Sequence, residues 1–248
     1  MSTLGKLHAL RRHPVKSLRG ESLEAAFVGY SGVQGDRVYA LVQPGKGGGF
    51  PWLTAREQAE LLLYEPRFVA PPGTTDYWPA RAQLDVRVRT PEGDDLAIDA
   101  LAAHLAARFG RGVELRFSEA GMPDAAPLSL LGLASVAALG EQAGVALEHR
   151  RFRANLVAAW DDPAPRFEET LVGRRVRIGE TLTLAITARD SRCVMTNLDP
   201  DDAHVDKAVF ATIAKTGAPE ERGRFGVYAA VLAPGVARVG DALTLVDG

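Results

Sequence analysis

At 248 residues, 46% hydrophobic and 24% charged, the chain is long enough to bury a sizeable core, as one large domain or two packed smaller ones. A net charge of -2 excludes a whole-molecule attraction to nucleic acid or an anionic membrane, so any bound anion must be gripped by a local cluster. One cysteine excludes an intramolecular disulfide and a self-contained iron–sulfur cluster, and fits a reducing, cytoplasmic setting.

No run of about 18 apolar residues is present to span a bilayer, and MSTLGKLHALRRHPVKS at the start holds no apolar stretch of signal-peptide length. His8, His13, His104, His149 and His204 show no metal-ligand spacing and read as surface or packing residues.

The first third reads as short strands: KLHALRRHP, SLEAAFVGY and DRVYALVQP are each bounded by Gly or Pro. Gln43 to Pro51, QPGKGGGFP, reads as a flexible hairpin loop. It lacks the spacing of a phosphate-binding loop, and no helix follows it directly. In LTAREQAELLLYEP, Thr54 and Glu57 form a capping box, Leu61 and Leu62 an apolar face, and Pro66 a stop, which predicts a short helix opening at Thr54. The segment from Pro66 to Pro79 has no periodicity and reads as a loop. Alternation resumes at LDVRVRT, with Leu84, Val86 and Val88 facing one way.

IDALAAHLAARFG predicts the strongest helix, with Asp99 as cap, Leu101, Leu105 and Phe109 at i, i+4 and i+8, and Gly110 as the stop. A second helix is expected from about Leu133 to Gln142, with Gly144 beyond it. Strands return in RRFRANLVA, LVGRRVRIG, TLTLAITA, FGVYAAVLA and DALTLV, interrupted by a helix from Asp206 to Lys215. Many short strands and few isolated helices predict an α+β fold, mostly antiparallel and barrel-like, and argue against a doubly wound sheet. Pro123 to Pro127 marks the expected seam between an N-terminal β-rich region, residues 1–122, and a second domain, residues 123–248.

Cys193 lies in ARDSRCVMTNLDPDD, directly after the strand TLTLAIT, at the kind of junction that displays functional side chains. Arg192 is adjacent and Arg189 near; positive charge beside a thiol favours the thiolate, which attacks electrophiles or binds metal. The alternative is an inert thiol, since free cysteine is commonly buried.

The ordered pieces HPVKSLRG, GDRVYALV, LTAREQAEL, PLSLLGLASVAAL, RFRANLVA, LVGRRVRIG, SRCVMTNLDPD, FGVYAAVL and VARVGDAL span nearly the whole chain. Together they resemble the MOSC family, the molybdenum-cofactor sulfurase C-terminal domain proteins with their N-terminal β-barrel region. The chain is similar in particular to the amidoxime-reducing members. The resemblance implies a molybdenum cofactor (molybdopterin) held between the two regions, with Cys193 as a thiolate ligand of the metal, a soft donor suited to it. It also implies cofactor contacts from Lys16, Ser17, Arg37, Arg153 and Asn155, because a pterin phosphate needs fixed positive charge and donors. Thr54 and Arg56 lie in a matching segment and are expected to lean over the pocket, although Thr54 also has an explanation as a helix cap. Thr196 follows the cysteine motif, where a loop-stabilising hydroxyl would look the same. Pyridoxal phosphate binding comes with the family only as a family-level association.

Three positions depart from the family's pattern: Ala154 replaces a common proline, Asn197 stands for a frequent second threonine, and Gly132 takes a position often filled by Ser or Thr. The last departure implies a missing hydrogen-bond donor to the cofactor. The resemblance implies a molybdenum-dependent oxidoreductase that reduces small N-hydroxylated compounds, the cofactor carrying the hard chemistry. The sequence ends at LTLVDG without a fused ferredoxin-type domain, so the expected electron source is a separate ferredoxin- or flavoprotein-type partner. One alternative is a sulfur carrier or cofactor-handling protein with a persulfide on Cys193. Another is a cofactor-free binding protein that keeps only the fold.

Overall fold

The computed structural model describes residues 2–46, 50–70 and 79–246. Seven strands close into a mixed barrel. Around its wall run Leu156–Trp160, Leu128–Gly132, Arg224–Ala233, Leu182–Ser191, Arg175–Ile178, Ala242–Val246 and Thr3–Arg12, and the last pairs back onto the first. Neighbours are antiparallel except Leu128–Gly132 beside Leu156–Trp160. A parallel pair needs a long crossover, and here it passes through helix α2, Leu133–Ala143. Helix α1 is Leu101–Phe109 and α3 is Lys207–Lys215. The α+β, barrel-like fold expected from the sequence is the one observed.

Leu7, Leu130, Leu156, Ile178, Leu184 and Val227 belong to the apolar core of the barrel, as alternate strand positions do when a small barrel is filled by side chains. The first strand of the chain is thus a barrel stave. Gly5 permits it: its φ is +149°, and a Cβ there would lie 2.3 Å from the Ala159 carbonyl oxygen. Val28 and Val33 also join the barrel core, while most of the remaining first half surrounds a second core that includes Leu41, Leu53, Tyr64, Val88, Leu101 and Leu105. Its sheets pair Tyr39–Val42 with Glu114–Phe117, and Glu65–Phe68 with Val86–Arg89 and Asp95–Ala97. A third cluster packs α2 and α3 together through Val136, Leu139, Val209 and Ile213.

Several local expectations are corrected. Thr54 does not cap a helix: Glu57 and Gln58 donate backbone N–H groups to its carbonyl at 3.0 Å, and the 3₁₀ turn Ala59–Leu63 starts only after Gln58. The Glu57 carboxylate is bound by Lys46, so the second half of the capping box is already taken. Asp99 does not cap α1 either. It sits inside a 3₁₀ turn, Ile98–Ala100, and pairs with Arg81. Pro66 lies within the strand Glu65–Phe68 rather than opening a loop, while residues 71–78 of that Pro-rich segment lie outside the described residues. The Gln43 to Pro51 loop is closed by a backbone bond from Gln43 to Pro51 at 3.2 Å, and its Gly47, Gly48 and Gly49 lie outside the described residues. RRFRANLVA is not one strand: His149–Phe152 is a 3₁₀ turn, Arg153 adopts a left-handed conformation, and the strand starts at Leu156.

Candidate functional site

A cavity of about 370 Å³ opens where the ends of the barrel strands meet loops of the first half. Lys16 and Ser17 reach it from the turn after the first strand, Arg37 from the segment leading into Tyr39–Val42, and Thr54 and Arg56 from the turn that follows Leu53. Arg153 and Asn155 come from the turn before Leu156–Trp160, and Cys193 and Thr196 from the loop after Leu182–Ser191. All nine residues expected to contact the cofactor or its metal therefore line one space.

The backbone is held unusually at this space. Among the described residues five non-glycine positions have positive φ, and three of them, Ser17, Arg37 and Arg153, line the cavity. Each such residue costs on the order of 1 kcal/mol or more unless its surroundings enforce it. Here they do. Arg37 is bonded to Asp36 and donates to the Arg153 carbonyl at 3.1 Å, and Arg153 donates to the Leu18 carbonyl at 2.5 Å. Burial and the neighbouring Arg37 pull the Arg153 guanidinium down to about 9. A cation so placed gains from any anion that enters.

Lys16 is buried; its Nζ donates to the Met122 carbonyl at 3.0 Å and pairs with Asp124 at 2.5 Å. Burial pulls its pKa down, and the Asp124 hydrogen bond works against that. Arg56 is exposed at the rim, its guanidinium 4.6 Å from the centre of the Phe50 ring. Asn155 lines the wall with its amide committed to the backbone: Nδ2 donates to the Arg11 carbonyl at 3.3 Å, and Oδ1 accepts from the Ser129 N–H at 3.4 Å. Its structural task is to knit strand ends together. The Thr196 hydroxyl donates to the Cys193 carbonyl at 3.0 Å, so it does brace the cysteine loop.

Cys193 is an exposed free thiol at this cavity, not a buried one. The arginines beside it in sequence have other commitments. Arg189 pairs with Glu169 at 2.9 Å and Glu221 at 3.0 Å, while Arg192 pairs with Asp190 and donates to the Phe152 and Phe225 carbonyls. Arg192 still lines the cavity, and further cationic groups reach it from Lys16, Arg37 and Arg153, which are remote in sequence.

Sequence reasoning missed a buried polar floor. The Ser129 hydroxyl donates to Asp190 at 2.6 Å, and both line the cavity with Tyr228. Burial, then the Asp190 carboxylate, push the Tyr228 hydroxyl well up. Tyr228 lies in FGVYAAVL and Asp190 in ARDSRC, both segments already singled out, but only three dimensions bring them together. Gly132, by contrast, is not a cavity residue. A Cβ there would lie 2.6 Å from Glu168 Oε2 and 2.8 Å from Trp160 Nε1. The mouth of α2 is filled by those side chains, so the inference of a missing cofactor donor at Gly132 is corrected.

The MOSC domain family model matches residues 116–244, and that of the MOSC N-terminal beta barrel domain matches residues 4–126. The chain belongs to the MOSC domain family. No curated protein matches this MOSC chain. Among solved structures it is similar to the YUAD protein from Bacillus subtilis, at 14% identity and a TM-score of 0.49, covering 96% of this chain and 93% of that one. It is also similar to YiiM from Geobacillus stearothermophilus, at 18% identity and a TM-score of 0.35, covering 49% of this chain and 55% of that one. For YiiM from Escherichia coli the identity is 20%, the TM-score 0.34, and the coverage 50% and 55%. The MOSC chain spans about half the length of the YiiM proteins.

The donor set can be tested against the cofactor associated with this family. Thr54 and Arg153 line the cavity, and Thr54 Oγ1 and Arg153 Nη2 are buried with no partner among the described residues. Unpartnered buried donors are costly, and a ligand with anionic and acceptor groups would satisfy them. Among the described residues no group of three or more His, Cys, Asp or Glu could hold a metal ion, so Cys193 would need further ligands carried by the cofactor itself. The residues present fit such a group. No helix among the described residues is long and apolar enough to cross a membrane.

Proposed function

We propose that this MOSC protein binds a molybdenum cofactor in the cavity and reduces small N-hydroxylated compounds, drawing electrons from a separate ferredoxin- or flavoprotein-type donor. The observation that carries this reading is that Thr54 and Arg153, whose buried Oγ1 and Nη2 have no partner among the described residues, line the same cavity as the exposed Cys193 thiol. When bound, the cofactor supplies two-electron redox chemistry, by which an N–OH group, two electrons and two protons give N–H and water. Cys193 would hold the metal, and Arg37, Arg153 and Lys16 the anionic end. Ser17, Thr54, Arg56 and Thr196 would complete the wall, with Asn155 fixing its backbone. Tyr228, whose hydroxyl is pushed up by burial and by Asp190, lines the same cavity. A reducing cytoplasm would keep the single thiol free.

An exposed thiol is equally what sulfur transfer requires, and that favours the second reading, a carrier with a persulfide on Cys193. Purified protein from a molybdenum-competent host, given reduced methyl viologen and hydroxylamine, should oxidise the dye, and Cys193→Ser should not. Dye oxidation that is absent in the wild type, alongside cyanide-labile sulfur on Cys193, would replace the reductase with the carrier.

A further inference from the structure

Three segments meet under the cavity in a closed ring of hydrogen bonds. The His13 backbone N–H donates to Asp36 Oδ1 at 2.6 Å, and Asp36 Oδ2 accepts from the Arg37 guanidinium. Arg37 Nη2 donates to the Arg153 carbonyl at 3.1 Å, and Arg153 Nη1 to the Leu18 carbonyl at 2.5 Å. His13 and Leu18 flank the same turn, so the ring closes on itself. A backbone bond from Arg37 to the His13 carbonyl at 2.7 Å locks the first two segments a second time.

Asp36 is the one carboxylate in this ring and is almost wholly buried, its side chain 3% exposed. A buried carboxylate beside two arginines has two conceivable tasks. As a neutraliser it offsets their charge, and its loss leaves a more positive cavity. As a bracket it fixes where their planar forks point, and its loss scatters them. The geometry favours the bracket. Its two oxygens are divided between different segments, Oδ1 on the His13 backbone and Oδ2 on Arg37, so the carboxylate ties position as well as charge. Arg37 and Arg153 both sit at positive φ, which side chains hold only under external constraint. Arg153 keeps Nη2 without a partner among the described residues.

We infer that Asp36 is the positioning residue of a dianion site formed by Arg37 and Arg153, aiming their guanidiniums at a phosphate-type group. The inference rests on the cofactor reading only for the natural carrier of that group; the site takes a phosphate-type dianion whatever molecule bears it.

The two tasks predict opposite signs. Inorganic phosphate is titrated calorimetrically into cofactor-free full-length protein at fixed pH and low salt, comparing wild type with Asp36→Asn. The bracket predicts phosphate binding to wild type and about tenfold or greater weakening in a folded Asp36→Asn, the size expected when a hydrogen bond to a charged group is misplaced. Unchanged or tighter binding in the variant means neutralisation and overturns the inference, as does a wild type that does not bind phosphate. If Asp36→Asn fails to fold, Arg37→Lys takes its place, keeping the charge but losing the fork. Weakened binding then supports the bracket, and retained binding overturns it. Molybdenum content is measured on separate, cofactor-loaded preparations, so loss of the cofactor reading is distinguishable from loss of this one.

Discussion

Arg192 adjoins Cys193 in sequence, yet its guanidinium is tied to Asp190 at 2.9 Å, with both side chains almost completely buried. The same guanidinium donates to the Phe152 and Phe225 carbonyls at 2.7 Å. It therefore anchors the cysteine loop to the turn that carries Arg153 and to the strand that carries Tyr228. Arg192→Met should lower stability by about 3 kcal/mol, because it strands the Asp190 carboxylate in the interior. Denaturant titration would read this as a lower midpoint at unchanged slope. A variant as stable as wild type would show that the pair is not an anchor.

Thr54 should behave in the opposite way. Its hydroxyl is buried with no partner among the described residues, so Thr54→Val removes a group that contributes desolvation cost and no bond. Stability should hold or rise by about 1 kcal/mol, while cofactor retention through purification falls. Lower thermal stability with full cofactor retention would mean that the hydroxyl serves the fold instead.

Gly132 has an ordinary φ of -92°, so its constraint is packing and not backbone. Gly132→Ser would press a Cβ against Glu168 and Trp160 at under 3 Å and should destabilise by about 1–3 kcal/mol. A melting temperature equal to that of wild type would mean that the mouth of α2 repacks freely.

Glu168 is completely buried; it accepts from the Ser135 hydroxyl at 2.9 Å, while its other oxygen has no partner among the described residues. Burial pushes its pKa above the ordinary 4.5. Below pH 4.5 the group is protonated whether the chain is folded or not. As pH rises from there through the folded value, the unfolded chain releases its proton first, and stability falls. Glu168→Gln, which carries no charge, should therefore melt higher than wild type at neutral pH and lose that advantage below pH 4.5. An advantage that persists unchanged into acid would have some cause other than ionisation.

The barrel was legible because its strands carry alternating apolar residues and are punctuated by Gly and Pro, as in LTLAIT and ALTLV. Gly110 and Gly144 stop α1 and α2 as their sequence positions imply. The caps were not legible, because Thr54, Glu57 and Asp99 find partners that local sequence cannot show: Glu57 goes to Lys46 and Asp99 to Arg81. The same limit applied at the site. Residues of these motifs converge on one cavity, yet the charge expected from Arg189 and Arg192 is spent on Glu169, Glu221 and Asp190 and on backbone carbonyls. The buried Asp36 and Asp190 and the half-buried Tyr228 were invisible because their importance lies in long-range pairs such as Ser129 with Asp190.

The central claim, that Cys193 binds the metal of a cofactor seated in this cavity, is tested most directly by molybdenum and pterin analysis of wild type and Cys193→Ser from a molybdenum-competent host. The account predicts one molybdenum and one pterin per wild-type chain, with molybdenum lost in the folded variant. Wild-type protein that carries neither, or a Cys193→Ser variant that retains molybdenum at the wild-type ratio, would contradict it.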